Sequence, residues 1–273
     1  MGVRVNLGCG PIYVESEEWV NLDYSLTGES VKKADLLRRL PFPEQSVSLV
    51  YSSHFLEHVP RTSVPAFLKE CYRILEPDGR IRLVLPDLEN MAREYLSTRE
   101  SGEDEKANFV VMEIVDQCVR LKPGGELGKC YNDLLDSSGS SSKDMIAYVR
   151  ERTGENLLVR NQPAVKSSAL HRLPAAILRR LERLWIKLVL LALPSAFRSQ
   201  NVSLANVGEK HHWLWDFSQL RDVLRAEGFV EVQRQYSESS SFPDFPFYPL
   251  DVDSDGMPRK GYESMYVEAS KPL

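Results

Sequence analysis

Four groups of residues in this chain have types and spacing suited to chemistry. The first is Gly8-Cys9-Gly10, which halts a short apolar alternation at Val3, Val5 and Leu7. Glycine serves where the backbone takes positive φ, or where a ligand lies against its N–H groups with no Cβ in the way. The second is Asp23, at the end of the next alternating stretch, Trp19-Val20-Asn21-Leu22. A glycine turn after one strand and a carboxylate after the next is a nucleoside-binding arrangement, because the acid accepts hydrogen bonds from both ribose hydroxyls. The alternative is a turn and nothing more. The third group is Ser52-Ser53-His54, with Glu57 and His58 following at helical spacing, and the fourth is Asp87 after Ile81, Leu83, Val84 and Leu85. In an open α/β sheet all four groups fall at the C-terminal edge of the strands, where ligands collect.

Spacing narrows the ligand. Only twelve residues separate Gly10 from Asp23, whereas a dinucleotide fingerprint has a third glycine and about twenty residues before the acid. Pro11 to Glu18 leaves room for a helical turn or two, too little for the full helix whose N-terminus receives a pyrophosphate. A ligand with a ribose and no phosphate fits better.

At 273 residues the chain is one large α/β domain, or one domain with a sizeable insertion. With 34 basic and 39 acidic residues its net charge is −5, which is not the footprint of a nucleic-acid binder. Small-molecule or glycan chemistry is the expectation. Four cysteines (Cys9, Cys71, Cys118, Cys130) form no C-x-x-C pair or zinc spacing, so no metal is expected. No signal peptide precedes the first strand and no uncharged apolar run reaches about twenty residues, so a reduced, cytoplasmic protein is expected. Asp251 to Gly256, DVDSDG, begins like a calcium loop, but its twelfth position is Tyr262 in place of the bidentate glutamate. An acidic turn accounts for it.

The elements that must position these groups follow from periodicity. After Asp23 a polar connection, Ser25 to Lys33, leads to Ala34-Asp35-Leu36. Val47, Leu49 and Val50 form a buried fourth strand, and Val64, Phe67, Leu68, Cys71, Ile74 and Leu75 face one side of a helix stopped by Pro77-Asp78-Gly79. Ile81 to Leu85 is a fifth strand. Met91 to Arg120 reads as helical, broken by SGEDEK. From Pro123 the pattern dissolves, and SSGSSS reads as a linker or mobile loop. Phe217, Leu220, Val223 and Leu224 form a helix closed by Gly228; Val230, Val232 and Tyr236 suit a sixth strand, and Tyr262, Met265, Val267 and Ala269 a seventh.

Residues 175–193 form an amphipathic helix with Arg179, Arg180, Arg183 and Lys187 on one face and Ile177, Leu181, Trp185 and Leu188 on the other. Two readings stand for it. It is a lid or dimer helix packed on protein, or it lies peripherally on an anionic membrane.

Taken together and in order, VNLGCG, WVNLDYS, ADLLRRLPFPEQSVSLVYSSHFLEHV, FLKECYRILEPDGRIRLVLPDLE and KHHWLWDFSQLRDVLRAEGF resemble the class I S-adenosylmethionine-dependent methyltransferases. Within that class they resemble the type 11 group and its relatives encoded with surface-polysaccharide enzymes. These stretches cover most of Val3 to Leu88 and the last quarter of the chain. The resemblance implies an α/β fold with a Rossmann-like seven-stranded sheet, mostly parallel with an antiparallel last strand, plus a helical insertion. It divides the chain into a cofactor-binding core (1–122), an insertion acting as acceptor-site lid (123–207) and the C-terminal part of the core (208–273).

The resemblance implies S-adenosyl-L-methionine as cofactor, held by Gly8, Cys9, Gly10, Asp23, Asp35, Leu36 and Ser53. Asp35 stands where the family's acid accepts from the adenine amine; the alternative is an N-cap for the LLRRL turn. His54 is expected near the sulfonium methyl, and His54 or His211 as the base for a hydroxyl acceptor. Asp87, His211 and Trp213 are expected to face that acceptor. The bland alternatives are a cap on the helix starting at Leu88 for Asp87, and an aromatic-packed loop for His211 and Trp213; His58 is read as a packing residue. No N-P-P-Y stretch follows the fourth strand, which argues against amide or adenine nitrogen acceptors. The resemblance leans towards a sugar oxygen, and a lipid-linked acceptor keeps the membrane reading of 175–193 open. Two other classes remain: a nucleotide-dependent oxidoreductase, and a non-catalytic nucleoside-binding or adaptor protein.

Overall fold

A computed structural model describes residues 2–137, 139–160, 180, 184–186, 188–205 and 208–273. Strands β1 (Val3–Leu7), β2 (Trp19–Asp23), β3 (Val31–Lys33), β4 (Val47–Ser53), β5 (Leu75–Pro86), β6 (Val230–Gln235) and β7 (Ser264–Ser270) form one sheet in the order β3-β2-β1-β4-β5-β7-β6. Neighbours pair in parallel from β3 to β5, and β7 runs antiparallel to both β5 and β6. This is the seven-stranded sheet with an antiparallel last strand expected from the resemblance. Central strands covered on both faces need continuous apolar side chains, and Val5, Leu7, Val47, Leu49, Val50, Ile81 and Leu85 are fully buried.

Three local expectations are corrected. The polar connection Ser25 to Lys33 ends in a strand, β3, of which only Val31 is buried. Helix α1 (Val64–Ile74) stops because Leu75 turns extended, so Pro77-Asp78-Gly79 lies inside β5 and caps nothing. Tyr262 falls outside β7 and is exposed.

The larger correction concerns the insertion. Helices α2 (Leu88–Glu100) and α3 (Asp104–Val119) break at Ser101-Gly102-Glu103, the first half of SGEDEK, the second half being the first turn of α3, and the stretch after Pro123 is helical too: α4 spans Gly125–Asp136 and α5 spans Ser140–Thr153. The SSGSSS stretch therefore runs into the start of α5. Leu127, Tyr131 and Leu134 of α4 and Met145 and Val149 of α5 recur at three and four residues. They bury against Phe109 and Leu157 in a cluster separate from the main core. Each fully buried side chain of that size contributes roughly 1.5–3 kcal/mol, which outweighs the poor helix propensity of the Gly and Ser residues. The far end of the insertion returns to its start. The Leu204 N–H donates to the Leu121 carbonyl (2.7 Å), the Ser203 hydroxyl to the Arg120 carbonyl (3.0 Å) and the His211 N–H to the Gln117 carbonyl (2.9 Å).

Much of the amphipathic helix expected over 175–193 lies outside the described residues. Of those described, 180, 184–186 and 188–192 are helical, with Trp185, Leu188 and Leu191 exposed. Among the described residues no helix is long and apolar enough to cross a membrane. The DVDSDG stretch is structural. Buried Asp251 accepts from the Tyr51 hydroxyl (2.7 Å) and from Arg82 Nε (2.7 Å), while Asp253 Oδ1 accepts from the Asp255 and Met257 N–H groups.

Candidate active site

The glycine turn is held by side chains of the strands it joins. Asn6 and Asn21 pair in register on β1 and β2, are buried, and donate from Nδ2 to the Ile12 (3.2 Å) and Val14 (2.9 Å) carbonyls. They tie down the segment after the turn, which is not helical at any point from Pro11 to Glu18. A phosphate-binding helix N-terminus is therefore absent here. Gly8 has φ +70° and a Cβ there would strike Phe55 at 2.9 Å; Gly10 has φ +53° and a Cβ there would project into open space. The first glycine is needed for packing, and the second keeps the turn's surface open.

Asp23 sits across the turn. Its Oδ2 accepts from the Gly10 N–H (2.9 Å) and its Oδ1 from the Ser25 N–H (2.8 Å). Each oxygen keeps a further lone pair, since a carboxylate has about four acceptor sites. Asp23, Asp35, Leu36 and Gly8 line one cleft of about 550 Å³, together with His54, His58, Lys210 and His212. Asp35 also accepts from the Leu37 N–H (3.1 Å) and Arg38 Nε (3.0 Å), so its local turn and its place in the cleft coexist. A second cavity of about 400 Å³ is lined by Gly8, Cys9, Gly10, Ser53, His54 and Lys260 among others. Burial and neighbouring Asp23 push the Cys9 thiol up to about 12, so it is a neutral wall of this cavity.

His54 lines both clefts and a third cavity, of about 210 Å³, whose other walls include Glu113, Arg120, Tyr131, Lys260 and Glu263. Its backbone has φ +50°, uncommon for a side chain other than glycine or asparagine, and its N–H donates to the Val84 carbonyl (2.8 Å). Its Nε2 is 2.9 Å from the Ser264 hydroxyl, and its Nδ1 is 3.3 Å from Glu57 Oε1. Burial, then the charges of Lys260, His211 and His58, hold the imidazole well below its usual range, so it is neutral. Burial pushes the Glu57 carboxyl up to about 8. The wall beyond carries a further pair, Glu113 and Glu263, both raised by burial, with Arg152 paired to Glu113.

Gly8, Cys9, Gly10, Asp23, Asp35, Leu36, Ser53 and His54 thus converge on connected space. Other expected site residues do not. Asp87 is the N-cap of α2, accepting from the Glu89 N–H (3.1 Å), and is ion-paired with Arg234 (2.6 Å). Trp213 packs on the core, stacks under Arg61 and donates from Nε1 to Gln219. His211 is buried against His58, with ring centroids 4.8 Å apart, and lines none of these cavities; its neighbours Lys210 and His212 do. Burial and the charges of His58 and Arg120 push the His211 imidazole down to about 3. His58, expected to be a packing residue, lines the 550 Å³ cleft together with Asp23 and Asp35. Glu113, Lys260 and Glu263 carry no signal as site residues in the sequence, because each reaches this wall from a chain segment far from His54.

Residues 16–83 match a family described as a methyltransferase domain. That match contains Asp23, Asp35, His54 and Glu57. Among curated proteins there is no significant sequence match. Among solved structures, an S-adenosylmethionine-dependent methyltransferase from Archaeoglobus fulgidus is 11% identical, with 99% of this chain and 87% of that one covered and a TM-score of 0.41. A Thermotoga maritima protein described as an S-adenosylmethionine-dependent methyltransferase, possible histamine N-methyltransferase, is 14% identical, covers 99% and 82%, and scores 0.39. Overlaps this loose assign no chemistry. The residues present fit S-adenosylmethionine: an anchored carboxylate with spare acceptor capacity, an open glycine surface and no helix between Pro11 and Glu18 to receive a phosphate.

Proposed function

We propose that this protein transfers a methyl group from S-adenosylmethionine to an oxygen of a sugar, glycan or other small hydroxylated acceptor. The observation that carries the reading is the meeting of the glycine turn, Asp23 and His54 at one edge of the sheet. S-adenosylmethionine supplies a methyl already activated on a sulfonium sulfur, so the protein mainly has to align acceptor and donor. Asp23 binds the ribose hydroxyls, Asp35 and Leu36 border the base, and Gly8 and Gly10 let the remainder lie against the backbone. In this reading His54, which lines all three cavities, takes the acceptor hydroxyl's proton. The third cavity receives the acceptor, and its acidic and basic lining suits a polar, hydroxylated molecule.

Calorimetric titration with S-adenosylmethionine and, separately, with NAD tests the cofactor half of the reading. S-adenosylmethionine alone should bind, and Asp23→Ala should weaken it by roughly 1.5–3 kcal/mol, the range for hydrogen bonds to a charged group. Equal affinity in parent and variant, or preference for NAD, refutes it. Release of S-adenosylhomocysteine in the presence of sugar acceptors tests the other half.

A further inference from the structure

We propose that Glu57, His58 and His211 form a binding site for a divalent first-row transition-metal ion. One ligating atom from each of the three lies within 4.8 Å of the others. A carboxylate and two imidazoles with positions left open make a donor set for zinc, manganese, iron(II) or cobalt.

The first support is a failure of polar satisfaction. Glu57 is fully buried and, among the described residues, neither carboxylate oxygen has a hydrogen-bond partner; His211 Nδ1, also buried, has none among them. Buried polar atoms are normally paired, so two orphans from distant parts of the chain in one cluster call for an explanation. The nearest ring nitrogens to Glu57 Oε1 are His54 Nδ1 at 3.3 Å and His58 Nε2 at 3.9 Å, neither in hydrogen-bond geometry.

The second support is orientation. His58 Nδ1 is 3.0 Å from the Lys210 carbonyl oxygen. A carbonyl only accepts, so Nδ1 carries the proton and Nε2 presents its lone pair on the Glu57 side. Metal-ligating histidines are commonly fixed by such a bond from the other ring nitrogen to a backbone carbonyl.

The third support is the scaffold. The Glu57 carbonyl accepts from the His212 N–H (2.7 Å) and the Trp213 N–H (3.4 Å), which clamps the segment carrying His211 against the one carrying Glu57 and His58. Bonds of about 2.0–2.2 Å place donors roughly 3–4 Å apart around an ion, so the set has to close by about 1 Å. The neighbouring cations leave room for this charge: Arg120 is already paired with Asp116 at 2.6 Å, and Lys260 shares its cavity with Glu113 and Glu263. The site does not rest on the methyltransferase reading, since two of its three ligands, Glu57 and His211, line none of the three cavities beside His54.

The test is titration of the chelator-treated full chain with Co²⁺ alone, read by visible absorption and calorimetry, then competition with Zn²⁺ and Mn²⁺. One equivalent per chain is expected, with absorption bands of nitrogen and oxygen coordination. Affinity should fall at least about 10-fold in each of Glu57→Gln, His58→Gln and His211→Asn, with folding checked by circular dichroism. No binding of any of the three ions by the parent, or unchanged binding in the folded variants, overturns the site. Should a variant not fold, the parent's stoichiometry and bands decide. S-adenosylmethionine binding is measured on the same samples: its retention without metal binding removes the metal site alone, and metal binding without it removes the methyltransferase reading alone.

Discussion

The two sides of His54 are built in different ways. On the cofactor side, Gly8, Gly10, Asp23 and Asp35 come from the first three strands and the turns after them, and their polar atoms keep spare capacity towards open space. On the other side, Glu57, Glu113, His211 and Glu263 come from four separated stretches, are buried, and have protonation equilibria displaced by burial. The first kind of site follows from consecutive strand ends lying side by side in a parallel sheet. The second needs the insertion and the C-terminal hairpin to be in place, so it carries far more of its free energy in tertiary structure.

That contrast can be broken. The largest effect should come from Arg152→Met, which leaves the buried Glu113 carboxyl without its ion-pair partner beside Glu263. Removing one member of a buried pair costs about 3–5 kcal/mol, measurable by urea unfolding. The protein that remains folded should bind S-adenosylmethionine as the parent does, and a parallel loss of cofactor affinity would show the two sides to be one unit.

Next in size, His54→Ala should lower turnover about 10²-fold or more with cofactor affinity nearly unchanged. Full activity dismisses His54 as the base, and weakened cofactor binding moves it to the cofactor side.

The smallest effect concerns pH. Burial, and then Glu113 beside it, raise the Glu263 carboxyl well above its usual range. Its unfolded value is about 4.3, so above that pH the unfolded chain has lost a proton that the folded chain keeps. Its contribution to stability is complete below about pH 4.3 and declines as pH rises towards the folded value. Glu263→Gln should flatten stability against pH above about pH 4.3, and identical slopes in denaturation series of parent and variant would contradict the buried acid.

What the sequence made legible follows the same division. Gly8, Gly10 and Asp23 sit at the ends of apolar alternations, so their shared edge was readable from local pattern. Strand β3 was not, because one buried residue in three leaves no period. Helices α4 and α5 were obscured by glycine, serine and aspartate, although Leu127, Tyr131 and Leu134 carry a helical spacing beneath them. The meeting of Glu57 with His211 depends on backbone bonds from His212 and Trp213 across the fold, and nothing near either residue announces it. The cysteine spacing from which no metal is expected is silent on this cluster, because a local pattern does not report residues that meet only through tertiary contact.

The bonds joining Gln117, Arg120 and Leu121 to His211, Ser203 and Leu204 make the intervening chain an excursion whose two ends meet beside the end of α3. Changing the length of such an excursion alters its closure entropy by only about 0.6 kcal/mol per doubling. The length of the intervening chain can therefore change at little closure cost while these three bonds hold its two ends together.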